Sequence, residues 1–130
     1  PNSPSQYRKK VAETAEIIRT KSFNTIYEAA FQYDQLLILL DILVKDGEGW
    51  HAYEVKSSLS VSETFLNDAA FQYYVIKHSG IDLKDFYLIT MNPDYQRQDK
   101  LDLQQLFIRH NVSNKVKIRQ QWIEQQAITE

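Results

Sequence analysis

The amino-acid sequence predicts an α/β fold in which a mixed sheet is flanked by helices. Helical and strand-like segments alternate along the chain, which is the pattern of a sheet covered by helices. A glycine-containing turn joins two of the apolar segments, as in a hairpin. Glycine and proline number only three each in 130 residues, so long flexible linkers are not expected. A chain of this length predicts one domain over residues 1–130.

The first part of the chain predicts one helix and two strands. Residues 5–21 form the helix, because apolar residues recur there at spacings of four and three. This stripe consists of Tyr7, Val11, Ala15 and Ile18. The β-branched and aromatic content of residues 25–33 predicts a strand, which a turn at 33–35 ends. Residues 36–45 are apolar on both faces, as in a strand inside a sheet.

A hairpin and a second helix are predicted next. Residues 46–49 read Asp-Gly-Glu-Gly, which is a hairpin signal, and residues 50–58 form the following strand. Ser60 and Glu63 match a capping box, with serine at the N-cap and glutamate three residues later. The sequence therefore predicts a helix over about residues 61–79.

The last part of the chain predicts one strand and two helices. Gly80 is the expected stop of the preceding helix. Residues 85–91 form an apolar strand that ends before an Asn-Pro pair. Residues 101–109 and 114–126 are predicted as helices. The predicted order is therefore α-β-β-β-α-β-α-α.

Composition and charge exclude several classes of protein. There is no cysteine, so disulfides, thiolate metal sites and thiol nucleophiles are excluded. The formal net charge is -2, so the whole chain lacks the basic excess typical of nucleic-acid-binding domains, although residues 1–25 are locally basic. We also expect no membrane partner, because the longest apolar run, residues 36–40, is too short to span a bilayer.

The ends of the chain and its targeting signals suggest its setting. No apolar segment follows a basic start, so no signal peptide is predicted, and we expect a cytoplasmic location. The sequence begins at Pro1 and ends within a predicted helix, so we expect a piece of a longer protein. Other domains of that protein are then expected partners. The oligomeric state is left open.

The register of the hairpin decides whether three charged residues meet. A loop of two or of four residues pairs Lys45 with Trp50 in either case, and this register sets Asp41 directly opposite Glu54. Directly opposed residues of an antiparallel pair point to the same face. Lys56 shares that face with Glu54, because the two residues are two positions apart on one strand. A slip of one residue would move Asp41 to the other face.

Two opposed carboxylates favour a cation between them. Like charges directly opposite each other destabilise a sheet, and Lys56 compensates only one of them. Oxygen ligands of this kind suit Mg²⁺ or Mn²⁺. Such a cation polarises a phosphoryl oxygen and makes a bound water more acidic, while an adjacent ammonium stabilises negative charge on the phosphate. The cluster therefore predicts a site for phosphodiester hydrolysis.

Asp41, followed after 13 residues by Glu54-Val55-Lys56, resembles the signature of the PD-(D/E)xK nuclease superfamily. The predicted element order over roughly residues 5–91 is similar to that superfamily's core. The resemblance implies a restriction-endonuclease-like α-β-β-β-α-β core, to which this chain adds C-terminal helices. It also implies that Asp41, Glu54 and the Val55 carbonyl bind the metal, with Lys56 as the catalytic ammonium.

Longer segments of the sequence resemble particular families within this superfamily. Residues 41–58 resemble RecB-type and CRISPR-associated exonuclease domains. Residues 26–44 and 70–80 are similar to a bacterial family of largely uncharacterised proteins with the same core.

Two positions depart from the family pattern. Residue 40 is leucine where the superfamily name has proline. RecB-type domains also carry a glutamine and, one turn later, a tyrosine on the helix after the lysine strand. Gln72 matches that glutamine, but residue 76 is isoleucine, and the nearby tyrosines are Tyr73 and Tyr74. The roles of these two tyrosines are left open.

Several candidate residues have a plain structural interpretation beside the functional one. Glu28 is either a third acid beside Asp41 or a solvated strand residue. Gln72 is a candidate for contact with a metal-bound water or with a DNA phosphate. Tyr74 is better explained by packing. Lys56 itself would form an ordinary ion pair at a sheet edge if the fold were different.

The sequence therefore predicts a metal-dependent nuclease that hydrolyses DNA phosphodiester bonds, in DNA repair, recombination or defence. The alternative is a non-catalytic nucleic-acid-binding or scaffolding domain on the same fold. DNA versus RNA, single- versus double-stranded substrate, exonuclease versus endonuclease activity, and one metal ion versus two are left open.

Overall fold

The computed structural model describes residues 3–47, 49–96 and 100–129. Five strands and five helices cover most of these ranges. In chain order they are α1 (Pro4–Thr20), β1 (Thr25–Tyr33), β2 (Leu36–Asp46), β3 (Gly49–Val55), α2 (Glu63–His78), β4 (Leu83–Met91), α3 (Leu103–Leu106), β5 (Phe107–Asn111), α4 (Ser113–Ile118) and α5 (Gln120–Thr129).

The strands form one mixed sheet in the order β1-β2-β3-β4-β5. The β3–β4 pair is parallel and the other three pairs are antiparallel. A parallel pair needs a crossover connection, and α2 supplies it between β3 and β4. The predicted fold class, a mixed sheet flanked by helices with an α-β-β-β-α-β core and further C-terminal helices, is confirmed. None of the helices in the described ranges is both long enough and apolar enough to cross a membrane.

The predicted hairpin register is confirmed. Lys45 pairs with Trp50 and Ile42 with Tyr53, so the two strands keep the expected pairing along their whole ladder. Asp46 pairs with Gly49, so two residues separate the last paired positions of the hairpin. Gly47 has a φ of 64°, a left-handed conformation that glycine adopts without steric cost.

The normal alternation of side chains breaks at the same level in β1 and β2. Leu40 and Leu43 are both fully buried, although residues three apart on a regular strand face opposite sides. Ile26 and Ala29 of β1 are likewise both buried. Glu28, which lies at the break in β1, has a φ of 52°, and this left-handed backbone explains how the strand changes face.

The C-terminal prediction was partly wrong. Residues 101–109 were predicted as one helix, but only α3 is helical, and β5 begins at Phe107. Pairing with β4 stabilises this edge strand, and His110 Nε2 lies 2.8 Å from the hydroxyl of buried Thr90. The predicted helix over 114–126 is two helices, α4 and α5, with Arg119 between them.

The boundaries around α2 also differ from the prediction. The N-cap is Ser62, whose hydroxyl accepts a hydrogen bond from Phe65 N at 3.2 Å, so the predicted capping box at Ser60 was wrong. Ser60 instead bonds within its own loop, to Ser58. The strand predicted to reach residue 58 ends at Val55. The predicted stop is confirmed, because Gly80 directly follows the helix cap with a φ of 90°.

Candidate active site

Asp41 and Glu54 bridge β2 and β3 at the point where the two strands separate. The ladder ends at the pair Ile42 and Tyr53, one position before them. Beyond it, Asp41 N donates a hydrogen bond to Glu54 Oε1 at 3.1 Å. Val55 N donates to Asp41 Oδ2 at 2.8 Å. Each carboxylate therefore bonds to the backbone of the opposite strand, and the predicted proximity of Asp41 and Glu54 is confirmed.

Glu54 is an acid in an apolar position. Its exposed fraction is 8%, and its strand neighbours Trp50 and Ala52 on the same face belong to the core. Burial raises the pKa of Glu54 above its ordinary value of 4.5, because a charged carboxylate is poorly solvated there. The Asp41 carboxyl adds to the rise through its hydrogen bond and its charge, while the hydrogen bond from Gln72 opposes it.

Gln72 projects from α2 onto Glu54. Its Nε2 donates a hydrogen bond of 2.7 Å to Glu54 Oε2. Its Oε1 is inaccessible to solvent and accepts no hydrogen bond from the described residues. An inaccessible carbonyl oxygen without a donor is costly, since its hydration is lost without replacement. The amide therefore has an acceptor left for a further group, a water molecule or a cation, beside the two carboxylates.

The carbonyl of Val55 lies on the open side of β3. Val55 N points toward Asp41 across the gap between the strands. Since the N–H and C=O groups of one strand residue point the same way, the Val55 carbonyl faces the same gap. On the other side of β3, Lys56 N donates a hydrogen bond to Ile89 O at 2.8 Å, which keeps this segment in register with β4.

Lys56 reaches α2 rather than the two carboxylates. Its Nζ lies 3.7 Å from Asp68 Oδ2 and 5.1 Å from the centre of the Phe65 ring. Among the described residues it forms no ion pair with Asp41 or Glu54, so the expectation that Lys56 directly compensates their charge was wrong. The lysine stays on the predicted face, because Glu54 and Lys56 contact residues one helical turn apart on α2.

Glu28 lies opposite Asp41 in the β1–β2 register, between the pairs on either side. Its side chain is directed elsewhere. Glu28 Oε2 forms an ion pair with Lys10 Nζ of α1 at 3.3 Å, and 66% of the glutamate side chain is exposed. The structure therefore places Glu28 near the level of Asp41 without joining it to the cluster, and its role as a third acid stays a prediction.

The tyrosines after Gln72 pack in the core. Tyr73 and Tyr74 are exposed by only 7% and 6%. The Tyr74 ring contacts that of His78, with centroids 4.1 Å apart, and the edge of Tyr33 at 6.0 Å. Packing accounts for both residues.

The residues of the cluster fit a hard divalent cation. No group of three or more Asp, Glu, His or Cys residues suited to a metal occurs within the ranges that the structure describes. Mg²⁺ does not need one, because it is usually bound by one or two carboxylates and keeps several waters. A carboxylate offers about four acceptor positions, so Asp41 and Glu54 keep free positions beside their three hydrogen bonds. The unpaired Gln72 Oε1 supports the same fit.

Two residues of the cluster were missed in the sequence. Asp68 and Phe65 contact the Lys56 ammonium, but neither residue was predicted to belong to the site. A signal for Asp68 existed, because it precedes Gln72 by four residues and so lies on the same face of the helix. Phe65 offered no signal, since an aromatic residue at this spacing is typical of a core.

No protein-family model matches the chain, and no curated protein matches it. The crystal structure of SSO0001 is similar to it, with a TM-score of 0.40 and 12% sequence identity. The matched region includes 98% of the present chain. It includes 61% of the SSO0001 chain, so the present chain spans less than two thirds of that protein's length. A similarity at this TM-score supports no statement about fold or function.

Proposed function

We propose that this chain is a metal-dependent nuclease domain that hydrolyses DNA phosphodiester bonds with Mg²⁺ or Mn²⁺. The observation that carries the proposal is the mutual bridging of Asp41 and Glu54 at the separation of β2 and β3. It brings two carboxylates together where the backbone between the strands is no longer paired. The resemblance of Asp41 and Glu54-Val55-Lys56 to the PD-(D/E)xK signature supports the same function.

Each residue of the cluster has a distinct task in this proposal. Asp41, Glu54 and the Val55 carbonyl hold the cation, which supplies positive charge for a phosphoryl oxygen when it is bound. Gln72 orients the Glu54 carboxylate through its 2.7 Å hydrogen bond. Lys56 donates hydrogen bonds to the phosphate and stabilises the negative charge that develops on it.

The burial of Glu54 contributes to this chemistry. Electrostatic interactions are stronger in a region that excludes water, so the buried Glu54 carboxylate attracts a cation more strongly than an exposed carboxylate does. The backbone hydrogen bonds of Asp41 and Glu54 fix the carboxylates before the cation arrives. The proposal does not need Glu28 as a ligand, because the glutamate is exposed and paired with Lys10.

The second candidate is a nucleic-acid-binding or scaffolding domain on the same fold, without turnover. One observation favours it: the Lys56 ammonium contacts Asp68 on α2 rather than the two carboxylates that would hold the metal. Metal binding separates the two candidates, since only the nuclease requires a cation at Asp41 and Glu54.

The test is degradation of single- and double-stranded DNA by the purified chain with Mg²⁺, with Mn²⁺ and with a chelator. We expect cleavage only with the metal. Lys56→Ala should lower the rate by about a hundredfold, because it removes one preorganised positive charge from the reacting phosphate. Asp41→Asn should abolish both cleavage and Mn²⁺ binding measured by calorimetry.

Matched variants control for charge and stability. Lys84→Ala removes a lysine that forms an exposed ion pair with Asp82, and Asp46→Asn removes an exposed carboxylate from the same strand as Asp41. Both should cleave DNA like the wild type. If the wild type binds Mn²⁺ without cleaving DNA or RNA, the nuclease proposal fails. If it binds DNA but no metal, the second candidate is supported.

A further inference from the structure

One side of α2 contacts the candidate site through three residues. Phe65, Asp68 and Gln72 follow one another at spacings of three and four, so they form a single stripe along the helix. Gln72 bonds to Glu54, and Asp68 and Phe65 contact Lys56. Two residues of the strand segment, two positions apart, are thus each held by the helix.

The contact between Lys56 and Asp68 combines a largely buried lysine side chain with a long distance between the two charged groups. The lysine side chain is only 19% exposed, although lysine normally extends into water. The Nζ to Oδ2 distance of 3.7 Å is too long for a hydrogen bond. Among the described residues, Lys56 Nζ donates no hydrogen bond, so the ammonium is attracted to Asp68 while its N–H groups stay available.

The Phe65 ring restricts the position of the same ammonium from a second side. The distance of 5.1 Å between Nζ and the ring centre is within the range of a cation–π interaction. A ring and a carboxylate together restrict a flexible side chain without occupying its donors. This arrangement suits a lysine that must meet a phosphate, because its orientation is fixed before the substrate arrives.

We propose that Asp68 is a positioning residue that holds the Lys56 ammonium beside α2, one helical turn from the Gln72 contact with Glu54. The inference rests on the proposed nuclease function, for which Lys56 is the group that contacts the phosphate. Asp68 itself lies on the exposed side of the contact, with 54% of its side chain accessible, and acts only through Lys56.

The first experiment needs no nuclease activity. The wild type and Asp68→Asn are treated with an acetylating ester, and the rate at each lysine is followed by mass spectrometry. Lys56 should react about threefold faster in Asp68→Asn, since an ion pair of this kind shifts a side-chain population by a few-fold. Asp82→Asn is the matched control: it removes an ion pair with Lys84 at 3.3 Å and should leave Lys56 unchanged.

The second experiment measures turnover and substrate affinity on DNA. Asp68→Asn should lower kcat by about threefold with little change in KM, because the population of correctly placed ammonium falls by a similar factor. Asp68→Glu should restore most of the rate, since a longer carboxylate still reaches Lys56. Mn²⁺ affinity, measured by calorimetry, should stay at the wild-type value in both variants.

The outcomes separate the inference from the proposed function. Unchanged acetylation of Lys56 in Asp68→Asn overturns the inference, whatever the enzyme does. Faster acetylation with an unchanged kcat shows a contact without a positioning role, and this result also overturns it. If the wild type cleaves no nucleic acid, the proposed function fails, and with it the positioning role of Asp68, even where acetylation shows the contact. Faster acetylation, a lower kcat and rescue by glutamate together support the inference.

Discussion

Two clusters, each built around a carboxylate, lie at opposite ends of the β3–β4 pair. The pKa of the central acid is shifted in opposite directions in the two clusters. Asp85 lies near the start of β4, opposite His51 in the register. Glu54, with Asp41 beside it, lies near the end of β3. The protein lowers the pKa of Asp85 and raises the pKa of Glu54.

The surroundings of Asp85 explain its low pKa. Burial alone would raise the pKa of Asp85, but hydrogen bonds from Ser113 and Asn111 and the neighbouring His51 lower it below its ordinary value. The Ser113 hydroxyl lies 3.1 Å from Asp85 Oδ1, and His51 Nδ1 lies 3.1 Å from Asp85 Oδ2. These bonds tie β4 to the start of α4 and to β3, so this cluster has a structural role.

Among the residues that the structure describes, the candidate site lacks such compensation. Glu54 receives hydrogen bonds from Gln72 and from Asp41 N, but burial and the Asp41 carboxyl outweigh them. Lys56, the nearest cation in sequence, contacts Asp68. The comparison teaches that burial of an acid does not by itself indicate function. A cluster whose charges stay uncompensated within the protein is the better candidate for binding a cation.

The largest difference between the clusters should appear in metal affinity. Glu54→Gln should weaken Mn²⁺ binding by more than about a hundredfold, because loss of an outer-shell partner alone costs up to that amount. Asp85→Asn should bind Mn²⁺ like the wild type. Calorimetric titration of both variants measures the effect. Equal weakening in the two variants would contradict the distinction between a structural and a metal-binding cluster.

A smaller effect is expected at Gln72. Gln72→Leu removes the hydrogen bond to Glu54 Oε2 and should lower Mn²⁺ affinity by about tenfold, as for other outer-shell partners. Gln120→Leu is a matched control, because Gln120 donates a 3.0 Å hydrogen bond to the Ala70 carbonyl on the same helix. If both variants keep the Mn²⁺ affinity of the wild type, Gln72 is only a packing residue.

The smallest effect concerns stability as a function of pH, measured by thermal unfolding with a chelator present. The pKa of Glu54 is raised, so its contribution to stability is present below its ordinary value of 4.5 and is lost as the pH rises through the raised pKa. The glutamine of Glu54→Gln stays neutral at every pH. The Tm of this variant should therefore be about 3 °C above that of the wild type at pH 8, and the difference should shrink toward pH 4.

Asp85 should behave in the opposite way. Its pKa is lowered, so its contribution is present above the ordinary value of 3.8 and is lost as the pH falls through the lowered pKa. The unfolding temperature of Asp85→Asn should therefore lie below that of the wild type at pH 7, and the two temperatures should approach each other in acid. A stabilising Asp85→Asn substitution, or a destabilising Glu54→Gln substitution at pH 8, would contradict the comparison.

The hairpin and the core face of α2 follow from signals that are local in the sequence. A glycine-containing turn fixes the pairing of the two strands that it joins, so the register that brings Asp41 to Glu54 follows from residues 46–49. The apolar residues Leu66, Ala69 and Tyr73 of α2 recur at spacings of three and four, which indicates one face of a helix, and all three are buried.

The errors occurred where distant residues compete with a local pattern. Residues 107–111 form a strand because an edge of β4 is available to them, which no nearby residue reveals. Ser60 and Ser62 are both possible helix caps, and in the folded chain the Ser62 hydroxyl accepts the capping hydrogen bond from Phe65 N, while Glu63 pairs with Arg119 at 2.8 Å. The change of face at Glu28 is also invisible in the sequence, because a glutamate rarely adopts a positive φ.

The sequence by itself determined which residues meet across the hairpin, since side-chain alternation and turn length depend only on the order of residues. Only the tertiary structure decided what surrounds them. Packing of α2 against the sheet buries Glu54, brings Gln72 onto its carboxylate and draws Lys56 toward Asp68. Burial and charge compensation depend on the whole fold, because they are set by every group that comes near, whatever its distance along the chain.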